Sequence, residues 1–183
     1  MRRLAIAGLI TALLLVGRNA AGTVLAVTYA PGWNLVAGPA GSTFPGATAV
    51  YSFPPGAEDY IARTGATPSS TGYGYWAYYP HGGSPNFADN PSNCRTMITA
   101  PVGQYFLAGN SSSTNAATVS GASAVYTFDP VAHTYVAATS LVPGQGAWVM
   151  PDSGGVVTIV AGNCTPASAA AAPAPQPIVT VPT

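Results

Sequence analysis

Short apolar runs, each bounded by Gly or Pro, follow one another along most of this chain. The runs are rich in aromatic and β-branched side chains, and no stretch keeps its apolar positions at the helical period. Runs of this kind are typical of β-strands, so the pattern predicts an all-β protein. The predicted strands cover residues 33–37, 49–53, 60–62, 73–79, 105–108, 124–128, 135–138, 147–150 and 156–160.

The pattern occurs twice. Residues 46–53 read GATAVYSF and return at 121–128 as GASAVYTF, while residues 74–78 read GYWAY and return at 146–150 as GAWVM. Self-similarity of this kind indicates a duplicated structural unit. A residue kept in both copies is expected to serve the shared scaffold, and a residue present in one copy is freer to serve something else.

The duplication predicts how the domain is organised. Repeat one covers residues 27–94 and repeat two covers residues 95–164. Because a single copy is too small to bury its own apolar face, we expect both to fuse into one domain over residues 27–165. Four or five strands per copy fit one antiparallel barrel or a sandwich with one sheet per copy, in either case with pseudo-two-fold symmetry. The copy-one counterpart of the last predicted strand, at residues 85–88, is degenerate.

Alternation along the strands predicts the core. Trp76 and Trp148 occupy matching positions, each two residues after a glycine, and we expect their shared face to be buried. A second core layer is predicted on the same side. Its members are Tyr51, Phe53, Tyr126 and Phe128.

Repeat one carries three tyrosines on the other face of its tryptophan strand. Tyr73, Tyr75 and Tyr79 alternate with Trp76, and the matching positions of repeat two hold no tyrosine. An outward row of aromatic rings can stack on sugars or contact proteins, so these tyrosines are the predicted ligand-binding residues. The alternative, which we favour, is that the three rings pack under the loop at residues 80–94.

The two ends of the chain differ from the middle. Arg2 and Arg3 precede an apolar run that is short for a membrane span, and small residues up to Ala26 fit a cleavage site, so residues 1–26 read as a signal peptide. We therefore expect a secreted, extracellular protein with no membrane attachment after cleavage. Residues 166–183 are rich in Ala and Pro and predict a disordered tail.

Two cysteines end the two repeats. Cys94 and Cys164 each follow an asparagine at the same place in their copies, and a secreted chain favours oxidised cysteines. We expect a disulfide between them. Such a bridge closes a long loop and would stabilise the fold by about 4 kcal/mol in the chain-entropy model.

Charge excludes several kinds of partner. Charged residues are 5% of the chain, and removing the signal leaves two arginines against five carboxylates, a net charge of −3. No basic patch can form, which argues against nucleic acid and anionic membranes. His81 and His133 occupy unrelated positions in their repeats, so neither a metal site nor a cofactor is predicted. The oligomeric state does not follow from the sequence.

The motifs of repeat one carry a resemblance. Residues 32–36 (GWNLV), the Val-Tyr-x-Phe segments and residues 74–76 (GYW) resemble a β-repeat module of secreted and surface-attached bacterial proteins. The resemblance covers most of the predicted domain, although repeat two has Gln104-Tyr105 in place of Trp33-Asn34. It implies an extracellular, non-catalytic β-module and brings no catalytic residues.

These observations predict a non-enzymatic structural or adhesive module of a surface or matrix, with a polysaccharide or another surface protein as partner. The alternative is a carbohydrate-binding module that uses an aromatic face of repeat one. A secreted hydrolase is the third hypothesis. It needs paired carboxylates, a catalytic triad or a metal set, and the only adjacent carboxylates, Glu58 and Asp59, lie in a predicted turn.

Overall fold

The computed structural model describes residues 26–88 and 94–162. Cys164, the predicted tail and all but the last residue of the predicted signal peptide lie outside the described residues. The described part is all-β, as predicted, and holds no helix of the length and hydropathy that a membrane span requires. Its strands are β1 (Gly32–Val36), β2 (Ala49–Ser52), β3 (Ile61–Arg63), β4 (Tyr75–Tyr79), β5 (Arg95–Thr99), β6 (Phe106–Gly109), β7 (Ala117–Ser120), β8 (Ala122–Asp129), β9 (Thr134–Ala137), β10 (Ser140–Leu141), β11 (Gly146–Pro151) and β12 (Val156–Ala161).

Two sheets reproduce the duplication strand by strand. In repeat one the order is β1-β4-β2-β3, and in repeat two it is β6-β11-β8-β9, all antiparallel. The registers agree as well: Trp76 lies opposite Leu35 and Tyr51, while Trp148 lies opposite Leu107 and Tyr126. We call these two the front sheets. Their common order and register confirm the predicted two-repeat architecture with pseudo-two-fold symmetry.

The front sheets meet through reciprocal backbone contacts. Ala37 N–H donates to the Gly144 carbonyl, and Gly109 N–H donates to the Gly72 carbonyl, each at 2.9 Å. Isolated bridges continue the pairing, from Tyr73 to Ala108 and from Val36 to Gln145. Each contact has its counterpart after a half-turn, so the junction between the repeats lies on the pseudo-two-fold axis.

Glycines allow the close approach at this junction. A Cβ on Gly74 would overlap with the Ala108 carbonyl oxygen, and a Cβ on Gly146 would lie 2.7 Å from the Val36 carbonyl oxygen. The GYW and GAW motifs therefore keep their glycine because the backbone of the other repeat passes directly over it.

A third sheet, which we call the back sheet, covers the rear of repeat two. Its order is β10-β7-β12-β5. Side chains from the back sheet and from the front sheet of repeat two fill one core, including Phe106, Val149, Leu141, Val157 and Ile159. Repeat two is therefore a two-sheet sandwich. The described strands form no closed barrel, and a sandwich is compatible with them, although the predicted division into one sheet per copy does not hold.

Loops cover the rear of repeat one instead. Phe44 packs there with Val36, Val50, Tyr75, Ala77 and Tyr79. Within the described residues, the remnants of sheet pairing are the bridges Thr43–Asn86 and Tyr29–Gly83. Residues 85–88, predicted to be a degenerate strand, contribute one such bridge and no strand.

Candidate functional site

The tyrosines predicted to face outward point into the protein. Tyr75 is 6% exposed, Tyr79 is fully buried, and Tyr73 packs partly buried against the same core. The Tyr75 hydroxyl accepts a hydrogen bond from Ser70 N at 2.8 Å. The prediction of an exposed Tyr73/Tyr75/Tyr79 row is therefore wrong. The rings are packed, as in the alternative, but Tyr79 stacks on Tyr29 and Tyr75 packs against Phe44, both outside the loop at residues 80–94. The reason is that both faces of β4 carry aromatic side chains, and these three seal the rear of the sheet.

The opposite side of the front sheets carries a continuous aromatic surface. Trp33, Trp76 and Tyr78 project there from β1 and β4, and the rings of β2, β8 and their hairpins continue it across the repeat junction. We call this surface the aromatic face. Its members are Trp33, Tyr51, Phe53, Tyr60, Trp76, Tyr78, Tyr105, Tyr126, Phe128, Tyr135 and Trp148.

The centre of the aromatic face is packed as predicted, but its rim is not core. Trp76 is buried with Leu35 and Leu107, and Tyr51, Phe53, Phe128 and Trp148 pack partly buried around them. Tyr126, also predicted as core, is 37% exposed. The assignment of a second core layer is thus right at the centre and wrong at the edge, because the described residues place no further sheet over this side.

Each repeat completes the packing of the other at this centre. Phe53 of repeat one lies 5.4 Å from Trp148 of repeat two, and Phe128 of repeat two lies 5.0 Å from Trp76 of repeat one, measured between ring centroids. Both pairs are edge-to-face, the geometry that ring quadrupoles favour, worth about 0.5–1.5 kcal/mol per pair beyond burial.

A first pocket of about 360 Å³ opens on the aromatic face. Its rings follow one another in an arc, with centroid separations of 5.0 Å from Phe128 to Trp76, 6.2 Å from Trp76 to Trp33, 6.0 Å from Trp33 to Tyr51 and 6.1 Å from Tyr51 to Tyr60. Phe128 belongs to repeat two and the other four rings to repeat one. The pocket is thus built by both repeats.

A second pocket of about 470 Å³ is lined by Tyr105, Tyr126, Tyr135 and Trp148. These rings are the repeat-two counterparts of Trp33, Tyr51, Tyr60 and Trp76. The geometry is also kept: Tyr105 and Trp148 are 6.4 Å apart at 84°, and Trp33 and Trp76 are 6.2 Å apart at 87°. The two pockets are therefore related by the pseudo-two-fold axis, with a tyrosine in the second where the first has Trp33.

Polar groups at the pockets come from the aromatic residues themselves. Among the described residues, none of the side chains that line either pocket is formally charged at neutral pH. Burial raises the pKa of the Tyr60 hydroxyl and the nearby Tyr135 raises it further, against a hydrogen bond with Trp76 that lowers it. Tyr60 therefore has Tyr135 of the other repeat as a neighbour, and the Tyr60 hydroxyl stays neutral.

Charged side chains lie around the aromatic face in an uneven way. Glu58 and Asp59 immediately precede Tyr60, and Asp129 immediately follows Phe128. Backbone N–H groups of residues 131 and 132 donate to Asp129 Oδ1 at 2.8 and 3.0 Å and, with help from His133, hold the pKa of that carboxyl below its usual value. Carboxylates therefore occur in both hairpins next to residues that line the first pocket.

The arginines lie elsewhere. Arg63 donates through Nε to Ser52 Oγ at 3.3 Å, on the side of β2 opposite Tyr51. Arg95 begins β5 in the back sheet, which covers the rear of repeat two. Within the described part of the chain, no arginine therefore lies on the aromatic face, and its basic neighbour is His133, whose ring is 6.5 Å from that of Phe128.

Two further sequence predictions concern metal binding and the disulfide. The described residues contain no cluster of three or more His, Cys, Asp or Glu side chains that could hold a metal ion. Ala161 N–H donates to the Cys94 carbonyl at 2.7 Å, which places Cys94 beside the end of β12. Ala161 itself lies three residues before Cys164 in the sequence. The Cys94–Cys164 bridge remains a prediction, since Cys164 lies outside the described residues.

Sequence reasoning missed four of the pocket residues. Trp33, Tyr60, Tyr105 and Tyr135 were not among the predicted site residues, although they form two matched pairs in the duplicated unit. The signal that could have found them is an aromatic side chain kept at the same place in both copies, just outside the strongest part of the repeat.

Comparisons with protein-family models, with curated proteins and with solved structures find no match to this chain. Its function is therefore inferred from the aromatic face.

Proposed function

We propose that this chain is a non-enzymatic, extracellular adhesive module and that the aromatic face is its contact surface. The observation that carries the proposal is the continuity of that face, which runs through both repeats and opens into two related pockets. Soluble monomeric proteins rarely expose large contiguous apolar patches, and those that do commonly use them for binding.

Exposure of the rings supports this role. Trp33 is 39% exposed and Tyr60 is 50% exposed, whereas the rings behind the same sheet are sealed. Tryptophan and tyrosine are enriched at binding interfaces because each contributes a large rigid area at low conformational cost. A scaffold role alone would not require so many partly open rings on one side.

A carbohydrate-binding module is the second candidate, now with different residues. The aromatic face of repeat one presents Trp33, Tyr51 and Tyr60 in place of the predicted Tyr73, Tyr75 and Tyr79. Exposed ring faces stack on the apolar faces of sugars. A polysaccharide surface is therefore a partner for which this geometry is suited.

A retention assay tests the proposal. The purified chain is incubated with a panel of insoluble polysaccharides and with protein-coated beads, beside a Trp33→Ala/Tyr60→Ala variant and a Met97→Ala/Val142→Ala control. The control removes exposed apolar side chains that do not line either pocket. We expect the pocket variant to lose at least about tenfold in affinity, as for central aromatic contacts, and the control to lose little.

The outcome also separates the two candidates. Binding to polysaccharide that the pocket variant loses favours the carbohydrate reading, and binding confined to protein-coated beads favours protein adhesion. Full retention by the pocket variant, with folding checked by near-ultraviolet circular dichroism, would contradict the aromatic face as the contact surface.

A further inference from the structure

We propose that the first pocket binds a trimethylammonium group through cation–π contacts. The pocket is the one lined by Trp33, Tyr51, Tyr60, Trp76 and Phe128. This inference rests on the proposed function, in that it takes the aromatic face to be the binding surface, and it names the chemistry that one part of that surface recognises.

The first argument is the shape of the ring arc. Trp33 meets Trp76 at 87°, Trp76 meets Phe128 at 73°, and Tyr51 meets Tyr60 at 67°. Rings set this steeply to one another do not form one flat platform, on which a planar ligand would stack. They form a concave wall, in which a compact, rounded group touches several rings at once.

The second argument is electrostatic. The face of an aromatic ring carries partial negative charge, and a cation near it is attracted, most strongly by tryptophan. Two of the five rings are tryptophans. No lysine or arginine of the described residues competes for them, since Arg63 is held by Ser52 on the other side of the sheet.

The third argument comes from hydrogen bonding. A sugar carries several hydroxyl groups, and each one that is buried without a partner costs free energy. The side chains lining the first pocket offer as polar groups the hydroxyls of Tyr51 and Tyr60 and the indole N–H groups. A trimethylammonium group has neither donor nor acceptor, so it loses no hydrogen bond when it enters a pocket of this kind.

The fourth argument is the charge around the pocket. Glu58 and Asp59 immediately precede Tyr60 in the chain, and Asp129, the last residue of β8, immediately follows Phe128. Backbone N–H donors lower the pKa of Asp129 further below neutral pH, so its carboxylate stays ionised under mildly acidic conditions as well. These carboxylates complement a cation and would repel an anionic ligand.

The second pocket provides an internal comparison. It is lined by four rings, of which one is tryptophan, and its Tyr105 replaces Trp33. Because tyrosine binds cations less well than tryptophan, we expect the first pocket to bind the trimethylammonium group more tightly than the second.

Choline and its neutral isostere, 3,3-dimethylbutan-1-ol, test the inference directly. The two molecules have the same shape, and the alcohol has carbon in place of the charged nitrogen. Titration of the purified chain, followed by tryptophan fluorescence and calorimetry at constant ionic strength, should give choline an affinity at least about tenfold higher. Trp33→Leu should remove most of that difference, Trp33→Tyr should restore part of it, and Tyr105→Leu should leave it unchanged.

A Glu58→Gln/Asp59→Asn variant separates charge from shape. It should weaken choline binding severalfold and leave binding of the neutral alcohol as it was. Vesicles of phosphatidylcholine, compared with vesicles of phosphatidylglycerol, then distinguish a membrane headgroup from a soluble ligand as the source of the trimethylammonium group.

Three results would overturn the inference. Equal affinity for choline and the alcohol would mean that the pocket recognises apolar volume and not charge. Absence of binding by either probe would mean that the pocket takes no such group. Loss of choline binding in Tyr105→Leu and not in Trp33→Leu would place the site in the second pocket. Each leaves the adhesive proposal standing if the retention assay still depends on Trp33 and Tyr60.

Discussion

Repeat one and repeat two share a front and differ at the rear. The front sheets have the same strand order and register, and the ring pairs on the aromatic face match in distance and angle. Behind repeat two stands the four-stranded back sheet, and behind repeat one stand loops pinned by Phe44 and Tyr79. Duplication has therefore preserved the aromatic face more strictly than the core that supports it.

The difference shows where each repeat depends on single side chains. In repeat two the backbone hydrogen bonds of β5, β7 and β12 hold the rear layer together, and many small side chains share the packing. In repeat one a few large aromatic side chains fill the space that the back sheet occupies in repeat two. We expect repeat one to be the more sensitive half to a single truncation at its rear.

The largest effect should come from Phe44→Ala. Phe44 is 1% exposed and contacts Tyr75 beneath the front sheet of repeat one. Removing a buried phenylalanine costs about 3–5 kcal/mol, which equilibrium unfolding in urea would measure. Val131→Ala, at a side chain that is 81% exposed, should change stability by less than about 0.5 kcal/mol. Similar losses of unfolding free energy in the two variants would show that the loops behind repeat one do not enclose a hydrophobic core.

The junction gives the next largest effect and tests the symmetry. Gly74→Ala and Gly146→Ala place a methyl group against the backbone of the opposite repeat, and overpacking of this kind costs roughly 1–3 kcal/mol. Because the two glycines are related by the pseudo-two-fold axis, their losses in thermal or urea unfolding should be close. Gly154→Ala is the control, since its methyl group would meet only the exposed Asp152 side chain and no backbone of the opposite repeat. A large cost at one junction glycine alone would contradict the symmetric junction.

The smallest effect should have the opposite sign. Within the described part of the chain, the Tyr79 hydroxyl is buried and has no hydrogen-bond partner. Its ring stacks on Tyr29, 5.2 Å away between centroids, and this contact survives in phenylalanine. Tyr79→Phe should therefore stabilise the protein by about 1 kcal/mol, since the unsatisfied hydroxyl is removed. Differential scanning calorimetry would detect the rise in Tm, and a fall would indicate that the hydroxyl is bound in solution.

Much of the fold was predictable because the sequence carries it twice. All nine predicted strands are present, and the two front sheets share one strand order. The three strands that were missed are β5, β7 and β10. They are short and contain many small or polar side chains, so their alternation is weak. They also pair with strands distant in sequence, β5 and β7 with β12, and β10 with β7.

The aromatic face was harder to predict than the strands. Alternation correctly grouped Trp76 apart from Tyr75 and Tyr79, but it could not say which side would be covered. Both sides are apolar, and loops remote in sequence, including the one that carries Phe44, decide the matter. Trp76 and Trp148, which occur at matching places in the two copies, were predicted only as core residues. In the structure they also form the floor of the two pockets.

The pseudo-two-fold axis has one more consequence for a long ligand. A half-turn about the axis exchanges the first pocket with the second, so a chain lying across both meets nearly the same rings in either orientation. A polymer has two different ends, but the two related pockets would scarcely distinguish one direction of the polymer from the other. A protein with such a surface could bind a fibre in either of two opposite orientations, which doubles the number of productive encounters.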